Sequence, residues 1–128
     1  MLANQRRGRP RGMERFVAGM FGGEPDEWTK RWLWTIGMET PMWVALDTLE
    51  IYADPPVQGL RDGLAALDVP VAVFHGIRDR SATRAEAEAI ATDIVADGTF
   101  VPFEESGHVP FLEESKRFDD ELVAFLEG

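Results

Sequence analysis

A mixed α/β architecture is predicted for this 128-residue chain: a helical first half, then a strand–helix–strand–helix unit with parallel strands. Three observations predict it. VPVAVFH (69–75) is an almost continuous apolar run ending at Gly76, the pattern of a strand buried on both faces. TFVPF (99–103) is a second strand pattern. Between them, an alanine- and glutamate-rich stretch over 83–96 puts Ala87, Ile90, Ala91 and Ile94 on one helical face. A helix crossing between two strands of one sheet makes them a parallel pair with a right-handed connection.

Taken in order, residues 1–15 read as a basic flexible arm, opening with the polar, glycine-rich MLANQRRGRPRG. A helical segment is expected over 16–54. Within it PDEWTKRWLWTIG starts a helix after Pro25, with acids in its first turn, and stops at Gly37. PMWVALDTLEIYA forms another, with Thr40 as N-cap and Pro41 at its first position. DPPVQGL ends that run, and residues 55–128 form the α/β part. There a short helix is expected over Val57–Leu67, then the first strand. Thr83 and Glu86 have capping-box spacing for the crossing helix, and Gly98 is placed to close it. SKRFDDELVAFLEG gives the last helix, capped by Ser115, with Phe118, Leu122, Phe125 and Leu126 on one face.

Composition excludes several classes of function. There are no cysteines, so disulfide chemistry and thiolate metal sites are ruled out. Two separated histidines without an HExxH pattern give no ligand cluster, and neither a metal nor another cofactor is expected. No run of eighteen apolar residues is present, and the start of the chain lacks a signal-peptide core, so a cytoplasmic protein without a membrane partner is expected. The net charge of −10 is uneven: five arginines against Glu14 give residues 1–15 a charge of +4 and leave the rest at −14. Such an acidic, lysine-poor body fits adaptation to high salt as well as it fits an ordinary acidic protein.

Chemistry is concentrated in two loops. In parallel α/β sheets ligands meet the carboxyl ends of the strands, and GIRD (76–79) and EESGH (104–108) follow the two strands there. Asp79 and His108 therefore project from neighbouring strand ends. A carboxylate beside an imidazole fixes its tautomer and stabilises the imidazolium formed when it takes a proton. His75, at a strand end, reads instead as a hydrogen-bonded core residue. The glutamates at 104, 105, 113 and 114 are expected to face solvent. Arg78 and Arg80 flank Asp79 and are expected to be exposed.

VPVAVFHGIRD followed by VPFEESGHVPFLEES resembles the C-terminal part of α/β-hydrolase fold enzymes. The resemblance covers residues 67–127, with Gly76-Ile77-Arg78-Asp79 matching the loop of the family's acid and Gly107-His108 the turn of its histidine. Upstream, FVAGMFGGEPDEW through IYADP is similar in style to the helical cap many such enzymes insert. The resemblance implies a partial α/β-hydrolase fold, cap plus C-terminal core, and a carboxylic-ester hydrolase with a Ser-His-Asp type triad. In it His108 is the general base and Asp79 its orienting acid, acting on a small apolar ester. Trp28, Trp32, Met38 and Trp43, with Val109, are candidates to line the substrate pocket, core packing being the alternative for the aromatic set. The family's GxSxG nucleophile elbow is absent, and Ser81, Ser106 and Ser115 do not sit on a strand-to-helix elbow. A missing N-terminal half, or self-association along an open strand edge, is the partner this implies.

The alternative is a non-catalytic hydrolase relic or binding module. Arg7-Gly8-Arg9-Pro10 resembles the core of an AT-hook, an arm that lies in a narrow A·T-rich minor groove. A body of −14 repelled by phosphate argues against DNA as a partner.

Overall fold

The computed structural model describes the backbone of residues 2–128 and the side chains from residue 8 onward. The chain divides into two compact units. One comprises the residues up to Gly19 together with Glu24–Val57, and the other comprises Met20–Gly23 and Gln58–Gly128.

The first unit is helical: α1 (Leu2–Gly19), α2 (Glu27–Glu39) and α3 (Met42–Ala53). The expected flexible arm is corrected here, because the basic segment runs as helix, bent at Gly8 two residues before Pro10. Contacts distant in sequence hold it. The Arg9 guanidinium donates to the Gly37 carbonyl at 3.0 Å and to that of Thr40, the last carbonyls of α2. The Trp34 indole N–H donates to the Pro10 carbonyl at 3.1 Å. The Arg7 side chain lies outside the described residues.

α2 is capped by Asp26, which accepts from the Thr29 N–H at 3.0 Å and its hydroxyl at 2.6 Å. Thr40 does not cap α3 as expected. It ends α2 and turns its hydroxyl back to the Ile36 carbonyl, while Pro41 occupies the N-cap of α3 without a side-chain bond.

The second unit holds α4 (Val57–Ala65) from its second residue on, β1 (Val71–Gly76), α5 (Arg84–Ala89), β2 (Gly98–Phe103), the single turn α6 (Pro110–Glu113) and α7 (Ser115–Glu127). β1 and β2 form the expected parallel pair, with Val71 opposite Gly98 and Gly76 opposite Phe103. The Thr83–Glu86 capping box starts α5. The crossing helix does not run to Gly98. It loosens into a π-turn over Ile90–Ile94, closed by the Val95 N–H on the Ile90 carbonyl at 3.1 Å. Gly98 instead starts β2, where a Cβ would overlap the backbone of Ala91. Ser115 is the first residue of α7, and Glu114 holds the cap position.

Strand alternation sends the two faces of the sheet to different partners. On one face Phe74 and the fully buried Phe103 meet Phe118 of α7 at ring-centroid distances of 5.1 and 5.8 Å, and Arg117 lies over the Phe103 ring. On the other face His75 lies against Phe100, on the side of α5 and its buried Ala87. β1 is not buried on both faces as expected: only His75 and Gly76 are buried, and Val71–Phe74 remain half-exposed. The physical reason is at its edge. Ladder parity turns Val71 and Ile77 toward β2 and leaves Ala72 and Phe74 facing the other side, where no strand pairs among the described residues.

Candidate active site

Asp79 is delivered by a tight turn at the end of β1. Its N–H donates to the Gly76 carbonyl at 3.0 Å, and the Arg78 N–H donates to the Ser106 carbonyl at 2.9 Å, tying this loop to the histidine loop. The carboxylate then folds over the residues that follow. Oδ1 accepts from the Ser81 N–H at 2.7 Å, the Ser81 hydroxyl at 2.6 Å and the Ala82 N–H at 3.4 Å.

His108 is held by its backbone. Its N–H donates to the Met20 carbonyl at 2.6 Å, and the preceding Gly107 N–H donates to Glu113 Oε2 at 2.6 Å. Val109 and Pro110, both buried, root the loop on the other side. Gly107 serves here through the space it leaves for neighbouring backbone. Its φ is negative, and a Cβ would overlap the Gly22 nitrogen and the Met20 carbonyl oxygen.

The two side chains meet. His108 Nδ1 lies 2.8 Å from Asp79 Oδ2 and 3.0 Å from the Ser81 oxygen, whereas Nε2 has no protein partner among the described residues. The carboxylate is 5% exposed and the imidazole 45%, so the acid is shielded while the ring stays open to solvent. Burial is the largest influence on Asp79 and raises its pKa. It is outweighed by hydrogen bonds from the Ser81 hydroxyl, from His108 and from the Ser81 N–H, which bring it from the usual 3.8 to about 2. The neighbouring arginines are not the cause: Arg78 pairs with Glu105 and stays partly exposed.

This shift sets an acid dependence. A depressed folded-state pKa contributes stability that is complete above about 4 and lost as pH falls through about 2, worth about 2 kcal/mol. Denaturant titrations between pH 5 and about 2 are expected to show that loss, and Asp79→Asn is expected to flatten its share. An unchanged profile in Asp79→Asn would refute the assignment.

Other expectations change. Glu113 and Glu114 are not solvent-facing. Glu113 Oε1 accepts from the Gly22 N–H at 2.8 Å and the Gly23 N–H at 3.3 Å while Oε2 holds Gly107. Glu114 Oε2 accepts from the fully buried Ser106 hydroxyl at 2.6 Å and the Glu105 N–H at 3.2 Å. Glu104 and Glu105 are exposed as expected, Glu105 pairing with Arg78 at the surface. His75 is buried, but its Nε2 has no hydrogen-bond partner among the described residues. Of the pocket candidates, Trp28 and Trp32 stack at 5.7 Å and are exposed, Trp43 is exposed and Met38 half-buried in the first unit; Val109 is a core side chain of the second, 2% exposed.

Ser81, Glu113 and the Met20–Gly23 segment are the participants that the sequence reading missed. The Asp-x-Ser spacing is a signal for the first, because an aspartate bonding the N–H two residues on is a common local turn. The other two have no local signal.

No family model matches the chain. It is 35% identical over 68 residues to the AB hydrolase superfamily protein YisY of Bacillus subtilis (strain 168), covering 53% of this chain and 25% of that protein. Among solved structures it superposes on the esterase EaEST from Exiguobacterium antarcticum with a TM-score of 0.89 at 25% identity, over 99% of this chain and 46% of that one. It superposes on a bromoperoxidase from Bacillus anthracis with a TM-score of 0.88 at 17% identity, over 98% and 46%. The chain thus spans a quarter of the curated relative and under half of either structure.

Proposed function

Because this chain belongs to the α/β-hydrolase family, we propose that it carries the general base and orienting acid of a carboxylic-ester hydrolase and works with a nucleophile outside these residues. The observation that carries this reading is the Asp79–His108 pair, with the carboxylate on Nδ1 and Nε2 unengaged. His108 takes the nucleophile's hydroxyl proton on Nε2 as the oxygen adds to the ester carbonyl. It returns that proton to the departing alcohol oxygen as the acyl–oxygen bond breaks, and repeats the transfer with water to free the acid. Asp79 holds the Nδ1 proton and stabilises the imidazolium between the two transfers. A small ester is the substrate class supported by the likeness to an esterase at 25% identity.

The missing elements also bound what the chain does alone. A GxSxG elbow and its oxyanion donors supply much of such an enzyme's acceleration. Purified chain is therefore expected to hydrolyse short aryl esters at background rate. Co-expression with the strands and GxSxG elbow of a related hydrolase is expected to give a complex that turns them over. Turnover by the chain alone, with a covalent acyl adduct found on one of its own residues, would place the nucleophile here instead. A folded complex with no turnover would favour the non-catalytic binding module. The DNA version of that alternative finds Arg9, one of its two core arginines, occupied on the carbonyls that end α2.

A further inference from the structure

Ser81 sits on no strand-to-helix elbow, but the folded chain places it against the Asp79–His108 pair. Its hydroxyl donates to Asp79 Oδ1 at 2.6 Å, its N–H donates to the same oxygen at 2.7 Å, and its oxygen lies 3.0 Å from His108 Nδ1. A hydroxyl has one proton and two lone pairs. With the proton given to the carboxylate, the lone pairs are what it presents to the ring. Nδ1 then sees two acceptors, Oδ2 at 2.8 Å and Oγ at 3.0 Å. A neutral imidazole in that setting keeps its proton on Nδ1 and its lone pair on Nε2, the form a general base requires.

The same geometry excludes Ser81 as this histidine's nucleophile. A nucleophilic hydroxyl gives its proton to the nitrogen opposite the orienting carboxylate. The Ser81 oxygen shares the carboxylate's nitrogen, and its proton is already engaged on Oδ1.

We propose that Ser81 is a positioning residue: it fixes the Asp79 carboxylate with Oδ2 toward the ring and completes the acceptor pair that keeps the His108 proton on Nδ1. This rests on reading Asp79 and His108 as the acid–base pair. The depressed pKa of Asp79, lowered in part by both Ser81 hydrogen bonds, agrees with the geometry.

The test is nuclear magnetic resonance on the intact 128-residue chain, following the ring nitrogens of His108 and the carboxyl carbon of Asp79. In the unmodified chain the neutral ring is expected as the Nδ1–H tautomer and the carboxyl to titrate at about 2. Ser81→Ala is expected to move the carboxyl midpoint toward 3.8 and shift the tautomer toward Nε2–H. Ser81→Thr, which keeps the hydroxyl, is expected to restore both. No change in either signal on Ser81→Ala would overturn the proposal. So would a covalent adduct on Ser81 after treatment with an aryl phosphonofluoridate, which would make it a nucleophile. Asp79→Asn separates the two levels. A tautomer that responds to Asp79→Asn but not to Ser81→Ala removes only the role of Ser81, whereas a tautomer indifferent to Asp79→Asn removes the acid–base pair and the proposal with it.

Discussion

Replacing His108 with alanine in the complemented enzyme is expected to remove nearly all ester turnover, and Asp79→Asn is expected to lower kcat on the order of ten-thousand-fold, as in serine proteases. The two losses have different causes. Without the imidazole, the group proposed to take the nucleophile's proton is gone. With asparagine at 79, a side-chain N–H2 can face Nδ1, which drives the ring proton to Nε2 and leaves a correctly placed histidine in the wrong tautomer. KM is expected to change little in both variants, because neither side chain is assigned to ground-state binding. A His108→Ala complex retaining kcat within about tenfold of the parent would lie below the usual contribution of a positioned base and would sink the assignment.

Gly76→Ala is expected to be the most damaging single methyl in the chain. A Cβ at 76 would overlap the carbonyl oxygens of Gly107 and Ser106, which are backbone atoms rather than yielding side-chain ends. Retreat is blocked, because Gly107 is itself pressed against Met20 and Gly22, and Gly22 against Glu105 and Gly107. Three glycines thus let the end of β1, the histidine loop and the Met20–Gly23 segment pack backbone on backbone. Overpacking of this kind costs about 1–3 kcal/mol or more, and its relief would displace the loop that carries His108. Gly76→Ala is therefore expected to lower the denaturant midpoint and, in the complemented enzyme, turnover. Gly59→Ala, where a Cβ meets nothing within 4 Å, serves as the control. Equal stability of the parent and Gly76→Ala chains would show that the close approach is unimportant.

What was legible in the sequence was whatever short-range pattern decides. The apolar run into Gly76 identified β1, the strand–helix–strand order identified the parallel pair, and Thr83 with Glu86 marked a helix start, because each depends on residues within a few positions of one another. The meeting of Asp79 and His108 was legible through their places at two strand ends. What was missed depends on partners far along the chain. The arginines and glycine of residues 6–12 favour an open arm locally, yet Arg9 and Pro10 find α2 and the segment is helical. Glu113 and Glu114 have the composition of a solvated face, but five backbone and hydroxyl donors wait for them in loops whose position only the fold determines. The π-turn after Ala89 has no pattern of its own; it continues an ordinary helical stripe.

The bond from the Gly22 N–H to Glu113 closes a loop of 91 residues. Closure entropy grows slowly with length, but it must be overcome before contacts so distant can reward it. A ribosome adds on the order of 5–20 residues per second, so Met20–Gly23 emerges on the order of ten seconds before the carboxylate and the His108 N–H it will meet. The β1–β2 pair and α5 are joined by far shorter separations and can form without that closure. The sheet is therefore expected to form first, and the backbone clasp around the histidine loop last.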